Sequence, residues 1–339
     1  MSCPIRLCMP VVLLALAVSV ASCGKTKKAS ELSAPSDVTT SQAPPRTFSS
    51  PPEASAALFD AAKAADQNAL LAIFGAEGKE MLFSGDAVED KNNRELFLRK
   101  YSDMNRWSAN KNGGETLFIG ADNFPFPVPL KKNASGRWSF DAENGRKEVL
   151  ARRIGNNELT TINVLGDIAG AQAQYYSTHG KQYAQKFISD PGQQNGLYWD
   201  VPQGQSPSPL GPLADVAKTL GYGDKPKVFN GYHYRMLTRQ GPAAKGGARD
   251  YMADGKLSGG FAVIAYPAIY GDSGIMTFTV GPDGVVYQRD LGDKTGETAQ
   301  AVAEFNPDQD WAALSAEPIQ GPVRPETEAA PQPNPSAPK

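Results

Sequence analysis

Apolar positions along this chain fall into three rhythms. The first is an unbroken run from Val11 to Val18, behind Arg6. The second opens at Ser50-Pro51-Pro52-Glu53, where a hydroxyl residue stands three positions before a carboxylate and proline takes the first helical place. Leu58, Ala61, Ala62 and Ala65 then recur at helical spacing. Asp66 restarts a short helix through Leu70, Leu71 and Phe74 that Gly75 closes, and Phe97, Tyr101 and Met104 form the stripe of a third. The third rhythm is that of strands. Glu115 to Ala121, Phe126 to Lys132 and Trp138 to Phe140 read as three of them, the last after the Ala134-Ser135-Gly136 turn. Helices followed by an antiparallel sheet predict an α+β region.

The pattern then repeats in kind. Leu159, Ile162, Leu165, Ala169 and Tyr176 predict one helix from about Asn157 to His179, stopped by Gly180, and a short helix is expected from Leu213 to Leu220. Strands are expected at Tyr232 to Thr238, Gly260 to Tyr266, Ile275 to Val280 and Val285 to Arg289. Gly281-Pro282-Asp283-Gly284 makes the last two a hairpin. A long helix laid over an antiparallel meander is again α+β, with Leu165 centrally under the sheet.

The two ends have a different character. The Val11–Val18 run is shorter than the roughly 20 apolar residues that span a bilayer, and Val20-Ala21-Ser22-Cys23 follows it in the manner of a bacterial lipobox. Residues 1–22 are therefore expected to be a lipoprotein signal peptide, and Cys23 the lipidated residue. Gly24, where an Asp would signal inner-membrane retention, points to the outer membrane facing the periplasm. Residues 23–48 are rich in Ser, Thr, Pro and Lys and are expected to be a disordered tether; residues 312–339, rich in Pro, Ala and Glu, a disordered tail. Between them the expected division is 49–155 and 156–311.

Net charge and cysteines narrow the function. At a formal net charge of -2 there is no basic field to hold nucleic acid through counterion release. Cys3 and Cys8 lie in the signal segment, so Cys23 alone would remain, allowing neither an internal disulfide nor a cysteine metal site.

Several stretches resemble the bacterial family known as domain of unknown function 2950. They are Pro125-Phe126-Pro127-Val128-Pro129-Leu130, Leu150-Ala151-Arg152-Arg153-Ile154-Gly155-Asn156-Asn157-Glu158-Leu159, Asn195-Gly196-Leu197-Tyr198-Trp199 and Pro207-Ser208-Pro209-Leu210-Gly211-Pro212-Leu213. The family implies no activity. At the level of fold, the first region resembles nuclear-transport-factor-2-like (NTF2-like) or cystatin-like domains. The second is similar to the globular part of type IV pilins and pseudopilins, through Asn157 to Gly180 and the Tyr270-Gly271-Asp272-Ser273-Gly274 stretch before the closing hairpin. It departs from pilins in lacking an apolar N-terminal helix and a prepilin cleavage motif before Glu158.

Candidate chemistry is sparse. Gly271-Asp272-Ser273-Gly274 matches a serine-protease nucleophile loop, yet the only histidines are His179 and His233, and a turn between strands accounts for the tetrapeptide. Gly24-Lys25-Thr26 lacks the upstream glycine of a phosphate-binding loop, Ser19 standing there. The two histidines suit a helix end and a strand face better than a metal, and no cofactor is expected. Arg152, Arg153 and Glu158 are the densest charge cluster and read as an inter-domain ion-pair network, or as a bidentate anion site. Trp199, Tyr198 and the Pro202–Pro212 loop suggest a recognition surface for a sugar or protein. The expectation is an envelope lipoprotein with a non-catalytic binding, scaffolding or assembly role toward an envelope protein or polysaccharide. The alternatives are an envelope hydrolase using Asp122 in the first domain and a minor component of a pilin-like secretion system.

Overall fold

Ser50 starts the first helix of the computed structural model, which describes residues 44–223 and 226–314. Its Oγ accepts the Glu53 N–H at 3.4 Å, and the Glu53 carboxylate reaches back to the Ser49 N–H at 2.8 Å, one residue before the expected box position. Helix α1 (Pro51–Lys63) is followed by α2 (Gln67–Phe74), capped by Asp66 and ended at Gly75 with φ 75°. A short α3 (Gly78–Leu82) and then α4 (Ala87–Asp103) come next, α4 capped by Asp86 through the Val88 and Glu89 N–H groups.

The first sheet contains β1 (Asn105–Ala109), β2 (Glu115–Ile119), β3 (Phe124–Pro125), β4 (Leu130–Lys132) and β5 (Trp138–Phe140). Its order is β1-β2-β4-β5 with β3 on β2, all antiparallel. Leu58, Ile73, Phe74, Leu130 and Phe140 form its core against α1 and α2. Phe48 belongs to that core too. It is fully buried, and its backbone pairs in both directions with Trp138. The expected tether thus reaches too far: burying one aromatic outweighs the polar composition around it.

Helix α5 (Ala142–Thr178) is the largest correction. It includes the expected Asn157–His179 helix but begins at Ala142, so residues 155 and 156, expected to divide two domains, lie inside one helix. Its first half escapes the pattern because it buries Ala142, Gly145 and Arg153 instead of a large aliphatic stripe. All described residues fall within one compact unit.

After α5 the chain forms α6 (Gly211–Thr219), β6 (Tyr232–Leu237), the short strands β7 (Arg239–Gln240), β8 (Arg249–Asp250), β9 (Met252–Ala253) and β10 (Lys256–Leu257), then β11 (Ala262–Pro267), β12 (Met276–Val280), β13 (Val286–Asp290), α7 (Thr295–Ala301) and β14 (Ala312–Ala313). The main sheet has the order β14-β13-β12-β11-β6 and is antiparallel throughout. The four expected strands are all in it, and β12 and β13 form the expected hairpin.

Side chains alternate across this sheet. Val263, Ala265, Phe278 and Val280 face α5, where they meet Val164, Leu165 and Ile168. Ala262, Ile264 and Tyr266 face the opposite way, against Ala299 of α7, Tyr251 and Phe305. Both faces are therefore covered, which is why β11 is buried along its whole length. Leu165 is fully buried under the sheet. The expected tail begins too early, since Ala312 and Ala313 pair with β13, and the Leu314 N–H donates to the Val286 carbonyl at 2.8 Å.

Candidate functional site

Arg152 and Arg153 sit in the middle of α5, not at a helix end, and consecutive helical residues point about 100° apart. Arg152 faces outward: it donates to Glu148 at 2.7 Å and the Pro125 carbonyl at 2.9 Å, and lies 5.0 Å over the Phe124 ring. Arg153 is 9% exposed and turns inward. It donates to the Glu80 and Met81 carbonyls of α3 at 2.9 and 2.7 Å, and it is paired with Asp272 in the β11–β12 loop. Glu158 lies farther along α5 and accepts the Ile275 and Met276 N–H groups, both at 2.9 Å. Between the two, Asn157 donates to the Ser273 carbonyl at 3.1 Å. Three α5 residues thus fasten one loop of the second sheet, and Arg153 fastens α3 as well.

A carboxylate cluster surrounds this clamp. Asp86 accepts the Tyr222 hydroxyl at 2.6 Å, and Asp90 accepts the Ser84 N–H at 3.0 Å. Burial pushes the Glu89 carboxyl up to about 7, against the opposing pull of Arg153. Burial raises Asp90 and Asp272 as well. Such shifts mark functional sites or structural networks alike. Here Asp86, Asp90, Asn157 and Arg153 join α3, α4, α5 and two loops, as a structural network would.

The other sequence candidates scatter. Cys23 and Gly24-Lys25-Thr26 lie outside the described residues. Asp122 accepts a hydrogen bond from Lys100 at 2.6 Å, which holds its carboxyl below the usual range, opposite to what an acid poised near neutrality needs. Ser273 is fully buried and bonds both the N–H and the carbonyl of Ile269, so the Gly271–Gly274 stretch is a turn. His179 stacks on Tyr175 at 3.9 Å, and the His233 ring bonds the Lys227 carbonyl at 2.8 Å. Among the described residues, no three His, Cys, Asp or Glu side chains are grouped to hold a metal. Trp199 is half-buried, its ring 5.7 Å from His179.

Next to Trp199 the structure opens a site that the sequence pointed to only in part. A half-open pocket of about 170 Å³ lies between α5, α6, β6 and the loop after α5. Val164 and Ile168 of α5 and Tyr234 of β6 line one side, and Leu213, Ala214 and Ala217 of α6 line another. Phe187, Ile188 and Tyr198 come from the intervening loop. That loop is positioned by backbone bonds from Tyr198 to Phe187 at 2.8 Å and from Leu210 to Leu197 at 2.9 Å. The second bond sets the start of α6, where Pro212 suits the first turn. Tyr198, Leu210 and Leu213 fall in stretches picked out from sequence. Val164 and Ile168 of α5 and Ala214 and Ala217 of α6 carried no signal beyond ordinary helical spacing.

Polar groups gather at the pocket's mouth. The Lys218 ammonium donates to the Tyr198 hydroxyl at 2.5 Å and to Asp200 at 3.3 Å, and it lies 4.8 Å over the Tyr198 ring. These bonds hold the lysine above its ordinary pKa and Asp200 below its own. Lys227 also lines the pocket, and among the described residues it has no ion pair.

Fold and site together define a mixed α+β protein with a small apolar pocket rimmed by lysines. The chain belongs to the family described as "Protein of unknown function (DUF2950)", whose sequence profile matches residues 45–314. No curated protein and no solved structure matches it.

Proposed function

We propose that this chain is an exported envelope lipoprotein, anchored through lipid on Cys23 and acting as a non-catalytic binding module through the α5–α6 pocket. The observation that carries the reading is the pocket itself. Its walls are aliphatic and aromatic while its charged groups stand at the rim, the usual division in sites that hold small apolar-bodied ligands. The short apolar run Val11–Val18 and the Val20-Ala21-Ser22-Cys23 stretch after it support the anchor, and no described helix is long and apolar enough to cross a membrane. Gly24 supports an outer-membrane address facing the periplasm. The finer fold reading is part of the same proposal. α5 lying across β11, β12 and β13 supports a pilin-like second half, and helices packed on the first sheet support an NTF2-like or cystatin-like first half. The N-terminal half of α5 is engaged by α3, which argues against filament assembly through that helix.

The scale of affinity follows from area. A six-carbon chain contributes at most about 0.8 kcal/mol per buried methylene, so its dissociation constant should be about millimolar. The test is thermal unfolding in rising 1-hexanol. Saturable stabilisation is expected, and Ala217→Trp, which fills the pocket from the half-buried face of α6, should abolish it. Equal stabilisation of both proteins would refute the pocket. For the anchor, Cys23→Ala should release the protein from membranes; retention of that variant through a salt wash would refute it.

A further inference from the structure

We propose that the pocket takes a small amphiphile with a single anionic head of the carboxylate class and an apolar body of one ring or a short alkyl chain. The inference rests on the binding reading above and adds the chemistry of the ligand. Size limits the body. A dry protein cavity of about 150 Å³ holds one benzene, so about 170 Å³ holds a single ring or about six carbons. The tyrosine hydroxyls among the described lining residues are already engaged. The hydroxyl of Tyr234 is already turned to Thr161 at 3.2 Å, and that of Tyr198 is committed to Asp200 and Lys218.

Charge at the mouth selects the head. The charged side chains lining the pocket are Lys218 and Lys227, with no carboxylate among the described lining residues. Asp200 offsets Lys218 from just outside. Lys227 is not offset among the described residues, and the His233 bond to its carbonyl ties its backbone to the edge strand β6. Among the described residues Lys227 is thus a lining cation without an ion-pair partner, beside apolar walls. That arrangement favours one negative charge on an apolar body, leaves a neutral head indifferent and repels a cation.

Three probes of equal body and different head test this: hexanoate, 1-hexanol and hexylamine, each titrated into the mature chain carrying Cys23→Ala. Hexanoate should bind about twofold to fivefold more tightly than 1-hexanol at low salt, the scale of one solvent-exposed ion pair, with hexylamine weakest. Raising the salt should shrink the gap. Lys227→Met should equalise hexanoate and 1-hexanol, whatever its effect on the affinity of both. If 1-hexanol binds as well as hexanoate, or Lys227→Met leaves the preference intact, the anionic head is wrong and the pocket stands. If none of the three binds, the pocket reading itself falls.

Discussion

Arg152 and Arg153 are neighbours with opposite fates. Arg153 is buried against Asp272 and two carbonyls, so Arg153→Ala strands a carboxylate and two acceptors in the interior and should cost about 3–5 kcal/mol. Arg152 is on the surface with Glu148, and Arg152→Ala should cost about 1 kcal/mol or less. Urea unfolding of the two variants checks this, and equal losses would contradict it. Glu89 adds a pH dependence whose sign is fixed. Its carboxyl sits at about 7 in the folded chain against 4.5 ordinarily, because burial disfavours the charge. Between those values the folded chain holds a proton the unfolded chain has lost. Stability contributed by this group is therefore full below about 4.5 and lost as pH rises through 7, a fall of about 3 kcal/mol. Glu89→Gln should flatten the unfolding free energy between pH 5 and pH 8, and an unchanged slope would sink the assignment. The charges of Arg153 and Glu158 were legible in the sequence, but their partners were not. Asp272 and Ile275 are more than a hundred positions away, and spacing along one chain says nothing about such pairs.

Elements were legible where side chains keep a period. Ser50, Asp66 and Gly75 mark helix ends through local bonds, and β5, β6, β12 and β13 are rich in β-branched or aromatic residues. The first half of α5 was not legible, because it packs through Gly145 where a helix usually presents Leu. A Cβ at Gly145 would stand 2.6 Å from a Val128 methyl. Alanine normally improves a helix by about 1 kcal/mol over glycine, yet here overpacking of about 1–3 kcal/mol opposes it. Gly145→Ala should lower the melting temperature. A more stable variant would show that α5 and the Val128 segment have room between them. Strands β7 to β10 are two residues each, too short for alternation to register.

At the scale of the molecule, one helix serves both halves: α5 carries the Arg153 clamp toward α3 and the Val164–Ile168 face toward the pocket. Of the recognition surface expected from Trp199, Tyr198 and the Pro202–Pro212 loop, Tyr198 and Leu210 line that pocket, and Trp199 and the loop's prolines do not. The other walls are aliphatic residues of α5 and α6, indistinguishable in sequence from core until the helices are placed. The central claim is that binding occurs in this pocket and not at the arginine–glutamate cluster. An NMR titration of the isotope-labelled mature chain with 1-hexanol tests it most directly. The account predicts saturable shifts centred on Val164, Ile168, Ala214, Ala217 and Phe229, with the amides of Arg152, Arg153 and Glu158 unmoved. Shifts centred on those three with the pocket silent, or no shifts at millimolar 1-hexanol, would contradict it.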